Sequence, residues 1–360
     1  QLEALDARET SKAYLHAARR FESIDRHESA KHFHRHYRAA EIRQEFAAQH
    51  GARDEVTDYV ELADNLDRFY FLRKLQLQCE RINYRNVLAR EFDVSLIDEI
   101  TRHVLRNQFL GSPLIETYYQ VLQLLSGPEP ETAFQSLLQL LEAHRDRFSV
   151  EDLNNVYQYV KNHCIRRINL GDEVYRERLF GIYQNILADE RLMRHDYLSP
   201  WEYKNIVTLG LRLRQEAWVA DFIELHLHHL PPNERDNAHT YNSAMLCYYR
   251  KQYRQAVKLL QTVEFTDLYY QLDARSILLK VYFETYESES LLHHISAFKI
   301  FLRRNKLVSA YQRKIYENFI RYALKIFRSS DSESKRKALA EEIRSVDHIS
   351  DRAWLLEQLE

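Results

Sequence analysis

Glycine is nearly absent from this chain. Six of its 360 residues are glycine, where average usage is about 7%. Tight hairpins need glycine for positive φ, and phosphate-binding loops need it for close backbone approach. Sheet proteins and nucleotide-binding α/β folds are therefore both poorly served. Proline is equally scarce, and Leu, Glu, Gln, Arg and Ala, all strong helix formers, are abundant. The expectation is an all-α chain joined by short turns.

Apolar residues recur at helical spacing throughout. Leu5, Ala13, Tyr14, Ala17 and Phe21 fall on one face, and a second stretch from Glu28 to Gln49 ends at Gly51. A third helix is expected from about Asp54 to Glu91. Its apolar residues cover so wide an arc that it should be buried on more than one side. Ser95 and Asp98 stand at capping-box spacing before the next helix, which Gly111 closes. Pro113, Ser149 and Ser199-Pro200-Trp201-Glu202 mark further starts. The last combines a cap serine, a proline at the first position and an acid at the third. Gly127-Pro128-Glu129-Pro130, Gly171 and Pro231-Pro232 mark turns. From about residue 111 the recurring unit is two helices of roughly 12 to 20 residues, repeating every 33 to 40 or so, which is the arithmetic of a helical solenoid.

The best-formed unit is Thr240 to Phe283, TYNSAMLCYYRKQYRQAVKLLQTVEFTDLYYQLDARSILLKVYF. Asn242, Ala244, Tyr253 and Ala256 stand at tetratricopeptide-repeat spacing, with Leu260 at the bulky position. Cys247 replaces the usual aromatic, Val263 replaces the usual alanine, and the usual proline is missing. Leu209-Gly210 and Trp218 place the preceding unit; Trp218 and Tyr253 are 35 residues apart, close to the repeat length of 34 or so. Over about 200–305 the chain resembles a divergent tetratricopeptide-repeat protein. The resemblance implies a right-handed α-solenoid of antiparallel helix pairs (TPR-like), with a concave face suited to a peptide or a partner helix. The expected division is an N-terminal bundle of long helices over 1–110, TPR-like repeats over 111–345, and a short C-terminal capping helix over 346–360.

Charge and cysteine usage narrow the function classes. The formal net charge is −2, so no overall field recruits nucleic acid or an anionic membrane, and no nucleic-acid partner is expected. The runs Arg303-Arg304-Asn305-Lys306 and Lys335-Arg336-Lys337 read as solvated helix ends. No apolar run reaches the length of a membrane span. Cys79, Cys164 and Cys247 are too far apart for a disulfide framework or a zinc site, and suit a reducing, cytoplasmic location.

Chemical motifs are missing. There is no G-x-x-x-x-G-K, no G-x-G-x-x-G and no G-x-S-x-G. His32 and His36 lie one helical turn apart, yet His27-Glu28 misses the zinc-protease pattern by one residue, so a solvated polar face is the plainer reading. His226, His228 and His229 precede Pro231 at a helix end, where the dipole favours positive charge. His163 and Cys164 point about 100° apart on a helix and cannot form a base–nucleophile pair, which leaves Cys164 to the core. No catalytic residue, cofactor or metal ligand is expected.

Tyrosine carries the functional hint. There are 24, and the doublets Tyr248-Tyr249 and Tyr269-Tyr270 cannot each face one core. Exposed tyrosines beside arginines are typical of recognition surfaces. The repeat register places Tyr241, Tyr248, Arg275 and Tyr282 on the concave side. The expected role is a non-enzymatic scaffold or adaptor binding a segment of another protein or a peptide there. Two alternatives stand beside it. One is a ligand- or peptide-responsive regulator with residues 1–110 as its output. The other is a helical enzyme whose site assembles only in three dimensions.

Overall fold

In the computed structural model, which describes residues 27–50, 59–88, 95–193, 198–263, 268–328 and 333–360, every regular element is helical. One isolated parallel bridge, between Glu28 and Phe148, is the exception among the described residues. No described helix is long and apolar enough to cross a membrane. The chain divides into two compact units, Gln1–His195 and Asp196–Glu360. The boundary expected at residue 110 falls inside the first. The helix expected around Leu5 to Phe21, and Gly51, the expected end of the stretch from Glu28 to Gln49, lie outside the described residues.

In the first unit the longest helix is central. Helix α1 (Ala30–His50) packs along α2 (Tyr59–Leu88), which also meets α3 (Ile97–Arg106) and α4 (Pro113–Ser126). Leu72, Leu75 and Cys79 of α2 are fully buried, while Tyr59, Val60, Leu66 and Tyr70 are exposed, so its wide apolar arc is open over the first turns and covered from Leu72 onward through Ile82. Helices α5 (Pro130–His144), α6 (Val150–Asn169), α7 (Val174–Ala188) and the single turn α8 (Glu190–Met193) complete the unit.

Local signals explain several helix starts. Ser112 accepts from the Ile115 amide at 3.3 Å and Ser149 from the Asp152 amide at 3.1 Å. The expected capping box at Ser95 does not form. Helix α3 begins behind Leu96, which is left-handed at φ 65, and the Ser95 hydroxyl and carbonyl accept from Lys74 of α2 instead. Glu28 is held from outside its own segment. Its amide donates to the Arg147 carbonyl at 2.6 Å, its carbonyl accepts from the Ser149 amide at 3.2 Å, and its carboxylate accepts from the Ser112 hydroxyl at 2.7 Å and pairs with Arg147. That carboxylate thus sits at the positive end of the α4 dipole.

The second unit is a succession of helices, several joined in contacting pairs by short turns. Helices α9 (Pro200–Arg212) and α10 (Glu216–Leu225) pair, as do α11 (Arg235–Tyr249) with α12 (Tyr253–Thr262), and α13 (Leu268–Glu284) with α14 (Ser288–Arg304). The first members also touch one another, α9 against α11 and α11 against α13. Ser199 caps α9 by accepting from the Glu202 amide at 3.1 Å, with Pro200 at the first position. Ala244 of α11 and Ala256 of α12 are fully buried, and the two helices are in contact. Helices α15 (Ala310–Arg328), α16 (Glu333–Ser345) and α17 (Arg352–Glu357) follow. They enclose a core of Leu291, Phe298, Leu302, Phe319 and Leu355.

The three turns that join these pairs are copies of one motif. Arg214, Lys251 and Tyr286 each have φ between 55 and 58. The residue after each donates to a carbonyl five residues back: Gln215 to Gly210, Gln252 to Cys247, Glu287 to Tyr282, at 2.8–3.0 Å. The left-handed residue donates three back: Arg214 to Leu211, Lys251 to Tyr248, Tyr286 to Phe283. This is the paired bond pattern that ends helices on a left-handed residue. The turns are 37 and 35 residues apart. Glycine is the residue such turns favour, yet none of the three has it.

Candidate functional site

Helices α9, α11 and α13 each give one face to a cavity of about 270 Å³ in the second unit. Helix α9 contributes Lys204, Asn205, Thr208 and Arg212. Helix α11 contributes Tyr241, Met245, Tyr248 and Tyr249, and α13 contributes Asp273, Ser276, Ile277 and Lys280. Within each helix these positions recur three or four residues apart, as one helical face demands. Ser350 and Asp351, just before α17, close one side.

Two lysine–aspartate pairs fix the electrostatics of this groove. Lys204, 9% exposed, pairs with Asp273, and its ammonium lies 4.6 Å from the Trp201 ring centroid and 5.3 Å from that of Tyr270. Such a desolvated ammonium is stable only because a carboxylate and two ring faces replace its water. Lys280 pairs with Asp351 at 2.7 Å. Burial acts to raise the Asp351 carboxyl, but the charge and hydrogen bond of Lys280 outweigh it, and the group sits below its ordinary value. Arg212 adds a further positive charge beside Asp351. Both aspartates are therefore committed to holding lysines in place. The groups left to meet a visitor include the exposed Arg212 guanidinium, the Asn205 amide, the Thr208 hydroxyl and the Tyr249 ring.

The four residues singled out from the repeat register divide into two pairs. Tyr241 and Tyr248 line the groove. Tyr241 is only 1% exposed, its ring edge-on to Tyr270 at 4.7 Å. Tyr248 is half-buried and donates to Glu284 Oε1 at 2.6 Å. Burial first, then the charge of Glu284, raises its phenol far above the ordinary value, so it stays a donor. Arg275 and Tyr282 are turned toward α14 instead. The Arg275 guanidinium stacks 3.9 Å above Phe301, its carbonyl contacts His294 Nε2 at 2.8 Å, and Tyr282 packs edge-on to His294. The cause is helical geometry. Residues 275 and 282 lie about two turns apart on one stripe of α13, roughly opposite the stripe of 273, 276 and 280. The Tyr269 side chain lies outside the described residues, and Tyr270 is buried, donating to the Pro200 carbonyl at 3.0 Å.

Other sequence candidates resolve into packing. Burial, then neighbouring His229 and His228, lowers His226 to about 4, and its ring stacks on Phe222 at 5.0 Å. A neutral ring gains little from the helix dipole, so aromatic packing replaces the charge–dipole reading. In the first unit Cys164 is buried and its thiol is pushed up to about 12 by burial. Its neighbour His163 faces Phe134 and Tyr175, with Nε2 3.4 Å from the Tyr175 hydroxyl. Tyr175 donates to Glu131, which also accepts from Arg178 at 2.7 Å. Among the described residues no three His, Cys, Asp or Glu side chains converge as metal ligands would.

Comparison of the chain with protein-family models, curated proteins and solved structures gave no match.

Lys204, Asp273, Lys280 and Asp351 are groove residues that sequence reasoning passed over. A faint signal existed: Asp273, Ser276 and Lys280 make a polar stripe on α13, on the side away from Arg275. Lys204 and Asp351 had none, because their partners lie 69 and 71 residues away.

Proposed function

We propose that the second unit is a tetratricopeptide-repeat-like module, a short right-handed solenoid of antiparallel helix pairs, that binds an extended segment of another protein in the groove lined by α9, α11 and α13. One observation carries the reading: three successive first helices, spaced by the same left-handed turn, each present one face to the same cavity. Stacked hairpins produce such a concave surface, and concave surfaces are what repeat proteins use to hold partners. The chemistry of the groove fits binding without catalysis. Its carboxylates are engaged by lysines, and burial holds Tyr241 and Tyr248 protonated. The remaining amides and hydroxyls suit hydrogen bonds to a peptide backbone.

Selection of a displayed random-peptide library on the whole protein tests this. Enriched peptides should bind the wild type and lose at least about tenfold in affinity to Thr208→Trp, where an indole fills the groove. A selection that enriches nothing, or peptides indifferent to Thr208→Trp, would refute the assignment.

A further inference from the structure

The positive charge of this chain is not evenly spread. Across the whole sequence 51 basic residues face 53 acidic ones, yet between Ser290 and Arg328 there are nine Lys or Arg and one acid, Glu317. That stretch is the α14–α15 hairpin, and its tip collects the charge. Lys299, Arg303 and Arg304 on the last turns of α14, Lys306 in the turn and Lys314 on α15 are all exposed.

The same tip displays apolar side chains. Leu307 is 78% exposed, Tyr311 60% and Ile300 42%. Leu307 is not a loose end. Its amide donates to Asn305 Oδ1 at 2.9 Å, and the next residue, Val308, is 3% exposed and anchors the turn in the core. Ser309 and Gln312 then form a reciprocal capping box, the Gln312 amide donating to Ser309 Oγ at 3.1 Å and the Ser309 amide to Gln312 Oε1 at 3.0 Å. Arg313 ties α15 back to α14 by donating to the Leu302 carbonyl at 3.0 Å. A turn held by these bonds thus keeps Leu307 out in solvent, with Arg303, Arg304 and Lys306 just before it in the chain and Tyr311, its ring edge-on to His348, four residues after it.

We propose that this hairpin tip docks on an anionic lipid surface. Clustered Lys and Arg are attracted to acidic headgroups. An apolar side chain beside them gains by passing below the headgroups, and a tyrosine is suited to that boundary. Nucleic acid would use the cations but would leave Leu307 and Ile300 without a role, so the lipid surface is favoured. This site uses none of the residues that line the groove, and the two proposals stand or fall separately.

The test is co-sedimentation of the whole protein with vesicles of phosphatidylcholine alone and of phosphatidylcholine with about a third phosphatidylserine. Binding is expected only to the acidic vesicles, weakening steeply as salt is raised. Neutralising three cations, Arg303→Gln, Arg304→Gln and Lys306→Gln together, should weaken it about a hundredfold. Leu307→Ser keeps every charge and should still weaken it several-fold. All four positions are exposed, so unchanged thermal melting is the check on folding. The proposal is overturned by no binding to acidic vesicles at low salt, by equal binding to neutral ones, or by indifference to Leu307→Ser. Tighter binding to an RNA or DNA oligonucleotide than to acidic vesicles would overturn it in favour of a phosphate-backbone site.

Discussion

Trp354 donates its indole N–H to Glu284 Oε1 at 2.7 Å, across 70 residues of chain. The same oxygen accepts from the Tyr248 hydroxyl at 2.6 Å, and Oε2 accepts from Tyr253 at 2.5 Å. One carboxylate therefore joins α11, α12, α13 and α17 through three neutral donors. A leucine in its place strands three polar hydrogens at once. Glu284→Leu is expected to cost about 3 kcal/mol or more, whereas Trp354→Phe, which removes one donor, should cost about 1 to 2. Urea titration followed by helical circular dichroism measures both.

The left-handed turns offer the opposite sign. Lys251 has φ 58 and is exposed, so its side chain gains nothing that offsets the steric cost of that conformation. Lys251→Gly should raise stability by about 0.5 to 1 kcal/mol, the relief of strain outweighing the extra freedom of the unfolded chain. Lys251→Val, β-branched, should lower it. Thermal melts of the pair against wild type decide the matter.

His163 gives the first unit a pH dependence. Burial, then the charges of Arg166 and Arg167, lowers its folded value from 6.5 to about 4. As pH falls, the unfolded chain takes up this proton first. The stability conferred by the neutral ring is complete above pH 6.5 and is lost between there and about 4. The loss is on the order of 3 kcal/mol. His163→Phe, which keeps the ring against Phe134 and Tyr175, should flatten denaturation midpoints across that window.

The Lys204–Asp273 pair is open to a double-mutant cycle. Asp273→Ala leaves Lys204, a residue only 9% exposed, without its carboxylate partner and beside ring faces, and should cost about 2 kcal/mol. Adding Lys204→Met removes the stranded charge and should return most of that loss. Non-additivity of that sign, measured by chemical denaturation, identifies the pair as an electrostatic unit within the groove.

Much of the helical framework was legible in the residues alone. Ser149 and Ser199 cap where their spacing says they should, and the scarcity of glycine foretold a helical chain. The capping box at Ser95 failed because Lys74, 21 residues earlier, competes for the same serine. The groove was half legible. The register that placed Tyr241 and Tyr248 together also enlisted Arg275 and Tyr282, which face α14.

What the sequence determined by itself is local: which stretches are helical, where serine and proline start them, and which stripes are apolar. These follow from bonds and packing within one or two turns of chain. The tertiary structure decided the rest. It forced Arg214, Lys251 and Tyr286 into left-handed turns without glycine, because the hairpins must close where the helices meet. It also settled which side of α13 faces the cavity, and it gathered Tyr248, Tyr253 and Trp354 on Glu284. Those outcomes depend on groups tens of residues apart, whose pairing is worth forming only once packing has excluded water from between them.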